Sequence, residues 1–249
     1  MAVVVTVAKG YDLGYIWKTQ GQQASAGRTT GGYYINAAQA GEPPGRWWGP
    51  GARELGFTSG QVVERKPYDA VYQQRDPWTG AKLGRARGRY ATFADHLAQL
   101  KAAEPYATAE RVIELEREAA QATRQPAAYT DVTVSFSKSI SVLHASIREN
   151  ARRARLAGDD RALAYWSDRE ERFQEVLHRA NRAALEYLQE WAGVTRTGYH
   201  GIRVDGHEPG RFEEAALVVT SWLQGTSRDG DPQDHIHNQI PDHPHRSGW

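Results

Sequence analysis

Length, composition and charge set the first limits on this protein. The chain has 249 residues, of which 40% are hydrophobic and 24% are charged, a composition typical of a folded domain with a sizeable core. A formal net charge of +1 excludes a strong overall basic field. The absence of cysteine excludes disulfides and thiolate metal sites. The sequence has neither a membrane-length apolar run nor a signal peptide pattern, so we expect a cytoplasmic protein with no membrane insertion.

The predicted elements of the first half are a strand, a long irregular region and two helices. Residues 2–8 (AVVVTVA) form a short apolar run typical of a strand. Residues 20–53 are rich in Gly, Gln, Ala and Pro, which predicts loops, with a short helix after RWWGPG. Apolar residues at helical spacing predict helices over 91–104 and 107–123.

The second half alternates between strands and long helices. The alternating, β-branched segment AYTDVTVSF (128–136) predicts a strand. Two helices follow, over 138–155 and from Asp159 or Asp160 to about 192, and then strands over 195–204, 214–223 and 233–240. The fold class is therefore α+β, a mostly antiparallel sheet with helices packed on one face.

A basic stretch at residues 64–90 has two readings. It carries seven arginines and lysines against three carboxylates, and Arg85, Arg87 and Arg89 alternate near its end. One interpretation is a solvated loop. The other is contact with DNA phosphates, because the forked guanidinium group of arginine forms hydrogen bonds to phosphate oxygens. Similarly, Trp47 and Trp48 either stack on unpaired bases or belong to the core.

The stretch DPQDHIHNQI, residues 231–240, holds a histidine pair. Residues two apart on a strand point to the same side, so His235 and His237 project from one face while Ile236 faces the other. Two imidazoles side by side suit a divalent metal ion. The alternative is two exposed histidines near a frayed end.

Three motifs in chain order resemble those of the TrwC/TraI-type relaxases of conjugative plasmids, the MobF class. The stretch WLQGTSRDGDPQDHIH resembles their metal-binding motif. DVTVSFSKSISVL places Asp131 at the family's active-site acid, and GGYYINAAQAGEPPGRWWGPGARELGF places Tyr33 and Tyr34 at its second tyrosine pair. Together the motifs cover most of the chain.

This resemblance implies the HUH relaxase fold and a metal-dependent reaction. A relaxase nicks one DNA strand at a plasmid transfer origin, and a tyrosine forms a 5′-phosphotyrosyl link that allows strand transfer. The implied nucleophile is Tyr34, or else Tyr33. Asp131 accepts the phenol proton or orients a metal histidine, unless it only caps a turn. Arg228 and the arginines of the basic stretch are the implied contacts to single-stranded or hairpin DNA, and conjugation accessory and coupling proteins are the implied partners.

The sequence departs from the family pattern at three places. Gln224 stands where the third metal histidine belongs, and its amide oxygen favours Mg²⁺ or Mn²⁺, with His200 or His207 as substitutes. The first tyrosine pair is missing, which leaves Tyr15 in reserve.

The third departure is at the end of the chain, where Pro241 and a polar segment follow the histidine strand. We therefore expect a relaxase domain over 1–240 that is incomplete at its C-terminal end, followed by a polar tail over 241–249. One alternative to an active nickase is a truncated, catalytically impaired module that at most binds single-stranded DNA. Another is a metal hydrolase that uses water.

Overall fold

The structure, a computed structural model, describes residues 3–11, 42–83, 91–123, 127–197, 210–227 and 230–241. The chain divides into two compact units. One comprises Met1–Leu83 and Ala128–Trp249, and the other comprises Gly84–Ala127.

An antiparallel sheet forms the centre of the larger unit. In the described part of the chain it has five strands, which are β1 (Val4–Gly10), β2 (Arg46–Trp48), β3 (Tyr129–Ser135), β6 (Val219–Thr226) and β7 (Pro232–Pro241). Their order across the sheet is β1-β3-β7-β6-β2, and every neighbouring pair is antiparallel. The histidine strand β7 is therefore central, between β3 and β6. A separate two-stranded sheet pairs β4 (Val194–Thr197) with β5 (Arg211–Glu214).

Helices cover both faces of the five-stranded sheet. The helices of this unit are α1 (Pro50–Glu54), α2 (Arg65–Tyr72), α5 (Lys138–Ala157) and α6 (Asp160–Ala192). On one face, Val132, Val134 and Ile236 pack against the long helix α6 through residues such as Leu177 and Leu185. On the other face, α1 and α2 pack over Tyr129 and Trp222.

The predicted α+β class with a mostly antiparallel sheet is confirmed. The expectation that helices cover one face only is wrong. The residues of α2 fall in the basic stretch that we interpreted as a solvated loop or a phosphate-binding segment. Burial of Tyr68 and Tyr72, which are 0% and 1% exposed, accounts for the second helical layer.

Local sequence accounts for the ends of the long helices. The side chain of Asp159 accepts a hydrogen bond from the Ala162 N–H and caps the start of α6. Helix α5 ends at Gly158, which has a positive φ of 67° that glycine adopts without strain. Adjacent cap and glycine signals therefore separate the two helices.

The strand predicted over 214–223 is divided in the structure. β5 ends at Glu214, and β6 begins only at Val219. Between them the side-chain amide of Gln189 on α6 donates to the Ala215 carbonyl and accepts from the Leu217 N–H. A helix side chain thus provides two of the hydrogen bonds that a strand would otherwise provide, and residues 215–218 are buried outside any strand, with a single bridge at Ala216.

The smaller unit contains the two helices predicted for residues 91–123. These are α3 (Phe93–Ala103), which begins with a capping box between Thr92 and Asp95, and α4 (Ala109–Ala122). Leu115 and Ala119 form the buried side of α4. Arg111 binds the carboxylates of Glu104, Glu114 and Glu118.

Candidate metal centre

The two histidines lie side by side on the central strand. Their ring centroids are 5.0 Å apart, and both side chains are partly exposed on the face opposite α6. The register places Gln224 of β6 directly opposite His235, and Thr133 of β3 directly opposite His237. The predicted shared face of the histidine pair is therefore confirmed, with Ile236 fully buried on the other side.

Asp131 holds His237 in a defined orientation. Its Oδ2 lies 2.7 Å from His237 Nδ1, and Thr133 Oγ1 lies 3.1 Å from the same nitrogen. Because a carboxylate only accepts hydrogen bonds, the proton of the neutral ring is on Nδ1. The lone pair is then on Nε2, which is the arrangement found in carboxylate–histidine–metal sites.

His235 has the same arrangement with a different acceptor. Its Nδ1 lies 2.8 Å from the backbone carbonyl of Gln233, which only accepts, so a proton on Nδ1 has a partner there and this tautomer leaves the lone pair on Nε2. Burial lowers the pKa of His235 and outweighs the opposing hydrogen bond to Gln233, and the neighbouring His237 lowers it further. The neutral form of the ring, which binds metal ions, is therefore favoured.

Gln224 completes a row of three potential ligands. Its Oε1 lies 3.1 Å from His235 Nε2, so both nitrogens of His235 face oxygen acceptors, and only the tautomer with the proton on Nδ1 leaves Nε2 and the amide oxygen as two ligands for one ion. The amide oxygen suits a hard divalent cation such as Mg²⁺ or Mn²⁺, whereas the two imidazoles also suit Zn²⁺, Cu²⁺ or Ni²⁺. Among the described residues no group of three or more His, Asp or Glu side chains is arranged to hold a metal ion. Gln224 is therefore the third ligand that the described residues offer beside the histidine pair.

Helix α2 covers the part of this sheet face that lies around Gln239. Tyr68 Oη donates to the Gln239 side chain at 2.8 Å, and Tyr72 Oη donates to the Gln239 carbonyl at 2.7 Å. Gln239 is two residues beyond His237, so the covered half begins where the histidine pair ends. The histidines consequently remain at the accessible end of the face.

Several of the predicted site residues lie outside the described part of the chain. Asp131, Gln224, His235 and His237 are described and lie together. Trp47 is a core residue, stacked on Phe57 with ring centroids 4.1 Å apart, and Trp48 packs partly buried against the α6 side of the sheet. The residues outside the described ranges are Tyr15, Tyr33, Tyr34, Arg85, Arg87, Arg89, His200, His207 and Arg228.

One polar contact next to the site is not evident from the sequence. Asp234 and His144 form a buried pair, with 2.9 Å between Oδ1 and Nδ1. In the sequence Asp234 is only a carboxylate beside the histidines, and His144 lies 90 residues away on α5. The polar residues at helical spacing, Ser141 and His144, are the only signal of this contact in the sequence.

Comparison with known proteins identifies the family. The TrwC relaxase family matches residues 14–245, so the chain belongs to this family. A metal-bound structure of the conjugative relaxase TrwC in complex with OriT DNA has 20% sequence identity and a TM-score of 0.50. The match covers 98% of this chain and 58% of that chain. This likeness shows that the two share a fold.

A second solved structure is the metal-free complex of the conjugative relaxase TrwC with OriT DNA. It has 20% identity and a TM-score of 0.49, again over 98% of this chain and 58% of the other. The chain thus spans 58% of the length of these solved relaxase chains. A comparison with curated proteins found no match.

Proposed function

We propose that the chain is a metal-dependent relaxase that nicks one DNA strand at a plasmid transfer origin and transfers that strand through a 5′-phosphotyrosyl intermediate. The observation that carries this proposal is the contact between Asp131 and His237 beside His235 and Gln224, in a member of the TrwC relaxase family. In the metal-binding tautomer each histidine has an acceptor for its Nδ1 proton, Asp131 for His237 and the Gln233 carbonyl for His235, which leaves each Nε2 lone pair for an ion.

The ligands of the proposed metal ion are His235 Nε2, His237 Nε2 and Gln224 Oε1. We propose Mg²⁺ or Mn²⁺, because an amide oxygen is a poor ligand for softer ions. The bound ion supplies positive charge beside the scissile phosphate. The protein provides the position of both rings, since their Nδ1 protons are held by Asp131 and by the Gln233 carbonyl.

The proposed nucleophile is the hydroxyl of Tyr34, with Tyr33 as the second choice. Its oxygen forms a bond to phosphorus while the bond from phosphorus to the 3′ oxygen breaks. The phenol proton passes to a base, and the departing 3′ oxygen takes up a proton. The hydrogen bond from His237 occupies Asp131 Oδ2, which favours Asp131 as a residue that orients the histidine over Asp131 as the base.

The proposed substrate is single-stranded DNA or a hairpin with a single-stranded flank. Arg228, Arg85, Arg87 and Arg89 are the proposed contacts to its phosphates, because arginine pairs with phosphate in two parallel hydrogen bonds. The same proposal has three further parts. Residues 1–240 form the relaxase domain, the protein is located in the cytoplasm, and its partners include the accessory and coupling proteins of conjugation.

Covalent capture of DNA tests the proposed reaction. The protein is incubated with Mn²⁺ and a library of single-stranded oligonucleotides with a randomised segment and a fluorescent label at the 3′ end. We expect the label to remain on the protein in a denaturing gel, because the 5′ phosphate of the 3′ fragment is joined to tyrosine. Sequencing the captured fragments then identifies the origin.

Variants distinguish attack by tyrosine from attack by water. Tyr34→Phe should abolish the labelled protein band, and Tyr33→Phe serves as the matched control beside it. Free fragments with a 5′ phosphate and no labelled protein would instead indicate a hydrolase that uses water. If both single variants retain full labelling, neither tyrosine is the sole nucleophile and this part of the proposal is wrong.

A second candidate function is a module that binds single-stranded DNA without cleaving it. The observation that favours it is Gln224, whose amide is a weaker metal ligand than an imidazole. In that case the protein retards the same oligonucleotides in a native gel, forms no covalent product, and is unaffected by Tyr34→Phe.

A further inference from the structure

We infer that helix α5 positions His235 by holding the preceding residue, Asp234, through the side chains of Ser141 and His144. This inference rests on the proposed function, in which His235 is a metal ligand. Ser141 and His144 lie on the opposite side of the sheet from the metal centre, so they act through Asp234 and are positioning residues.

Every polar group of Asp234 except one carboxylate oxygen has a partner. Its N–H donates to Ser141 Oγ at 2.8 Å, and its carbonyl accepts from the Phe136 N–H at 3.0 Å. Its Oδ1 lies 2.9 Å from His144 Nδ1, and the residue is 1% exposed. One residue of the central strand is therefore fixed by main-chain and side-chain contacts together.

Ser141 replaces a hydrogen bond that the sheet does not provide at this position. β3 ends at Ser135, opposite His235, and the chain then turns into α5. The N–H of Asp234 therefore lies beyond Ser135, the last residue of β3. The Ser141 hydroxyl accepts this hydrogen bond and donates its own proton to the Ser137 carbonyl at 3.3 Å.

His144 lies one helical turn after Ser141 on α5 and makes the second side-chain contact to Asp234. Its ring stacks on Phe173 of α6, with centroids 4.9 Å apart and planes 19° apart, and its side chain is 3% exposed. The ring is therefore held by packing and presents Nδ1 to Asp234.

The backbone of Asp234 controls the orientation of His235. The His235 Nδ1–H donates to the carbonyl of Gln233, and Asp234 is the one residue between them. Rotation about the backbone bonds of Asp234 would move this carbonyl relative to the imidazole. Fixing Asp234 therefore fixes both the ring and the acceptor that keeps the lone pair on Nε2.

The first test measures Mn²⁺ binding by titration calorimetry and folding by thermal unfolding. Ser141→Ala removes one hydroxyl, and His144→Leu/Asp234→Val replaces the buried pair with apolar residues, which proteins often tolerate without loss of stability. We expect each variant to remain folded and its Kd for Mn²⁺ to rise about tenfold, the lower end of the effect seen when residues behind a metal ligand are changed.

Two further variants separate positioning from general damage. Ser146→Ala makes the same substitution on the same helix, at an exposed hydroxyl that bonds only the Val142 carbonyl of its own helix, and should leave the Kd unchanged. Asp234→Asn retains an oxygen that can accept from His144 Nδ1 and should keep the Kd within about twofold of the unmodified protein. A folded Ser141→Ala protein with unchanged Kd would overturn the inference.

A measurement on the metal-free protein makes the test independent of metal binding. Nitrogen-15 spectra of the histidine side chains report which ring nitrogen carries the proton. We expect one tautomer for His235 in the unmodified protein and averaged signals in Ser141→Ala. If the unmodified protein binds no Mn²⁺, the proposed function fails, and these spectra still decide the inference. Identical His235 signals in both proteins would contradict it.

Discussion

Two roles are proposed for Asp131. In one it accepts the proton of the phenol, and in the other it accepts the hydrogen bond that orients His237. Its side chain is 18% exposed, and its Oδ2 lies 2.7 Å from His237 Nδ1. This contact uses one of the two carboxylate oxygens. The two roles make different predictions for a substitution that keeps the shape and removes the charge.

Asp131→Asn should weaken metal binding. If Asp131 orients His237, the Kd for Mn²⁺ should rise about 10- to 100-fold, because the ring loses its charged acceptor. Titration calorimetry measures this directly, and Asp234→Asn is the matched control on the opposite face of the sheet. An unchanged Kd combined with loss of covalent DNA attachment would assign Asp131 to proton transfer instead.

At single positions, strand periodicity was the most useful guide in the sequence. His235 and His237 share a face because side chains alternate along a strand, and the contact of Asp131 with His237 agrees with a carboxylate that orients a metal histidine. The pairing of His144 with Asp234 was not predictable in this way. It depends on how α5 lies against β7, and no local pattern connects two residues 90 positions apart.

Among the elements, α2 has the largest effect on the site that we did not predict. Its sequence RKPYDAVY is short, begins with two charges and a proline, and has no long apolar repeat. The helix is held mainly by tertiary burial of its two tyrosines, which overrides weak local preference. β2 was missed for the same reason, since three residues show no periodicity. The long helices were predictable because their apolar pattern extends over many turns.

The hydroxyl of Tyr72 links α2 to the sheet through a short chain of hydrogen bonds. Trp222 Nε1 donates to Thr220 Oγ1 at 3.1 Å, Thr220 Oγ1 lies 2.7 Å from Tyr72 Oη, and Tyr72 donates to the Gln239 carbonyl. Burial is the largest cause that raises the pKa of Tyr72 well above its ordinary value. The hydroxyl therefore keeps its proton and acts as a donor.

Tyr72→Phe should lower the free energy of unfolding by about 1–3 kcal/mol, because a buried acceptor loses its donor. Urea unfolding followed by tryptophan fluorescence measures the change. Tyr106→Phe, at a fully exposed tyrosine, provides the control and should leave stability unaltered. If Tyr72→Phe is equally silent, the hydroxyl of Tyr72 adds nothing to the stability that the rest of α2 provides.

For the whole molecule, the stability should depend on pH through His178. Burial is the main cause that lowers the pKa of this α6 histidine from 6.5 to about 4, and the charge of Arg46 lowers it further. Between pH 6.5 and about 4 the unfolded chain therefore binds a proton at His178, whereas the folded protein does not. The stabilising contribution is complete above about pH 6.5 and is lost as the pH falls toward 4.

The expected loss is about 1.4 kcal/mol for each pH unit in that window, or roughly 3 kcal/mol in total. Urea unfolding at a series of pH values measures it. His178→Leu should flatten the profile between pH 6.5 and 4 relative to the unmodified protein, since every other group is common to both. Parallel profiles for the two proteins would show that His178 does not titrate differently on folding.

The alternation along β7 also constrains how this gene can change. Asp234, Ile236 and Asn238 face α5 and α6, while His235, His237 and Gln239 face the opposite side. Insertion or deletion of a single codon within the strand would exchange the two sets, burying imidazoles among leucines and turning an isoleucine toward solvent. A change of length by one residue would therefore disturb both faces of the sheet, whereas a point substitution disturbs one.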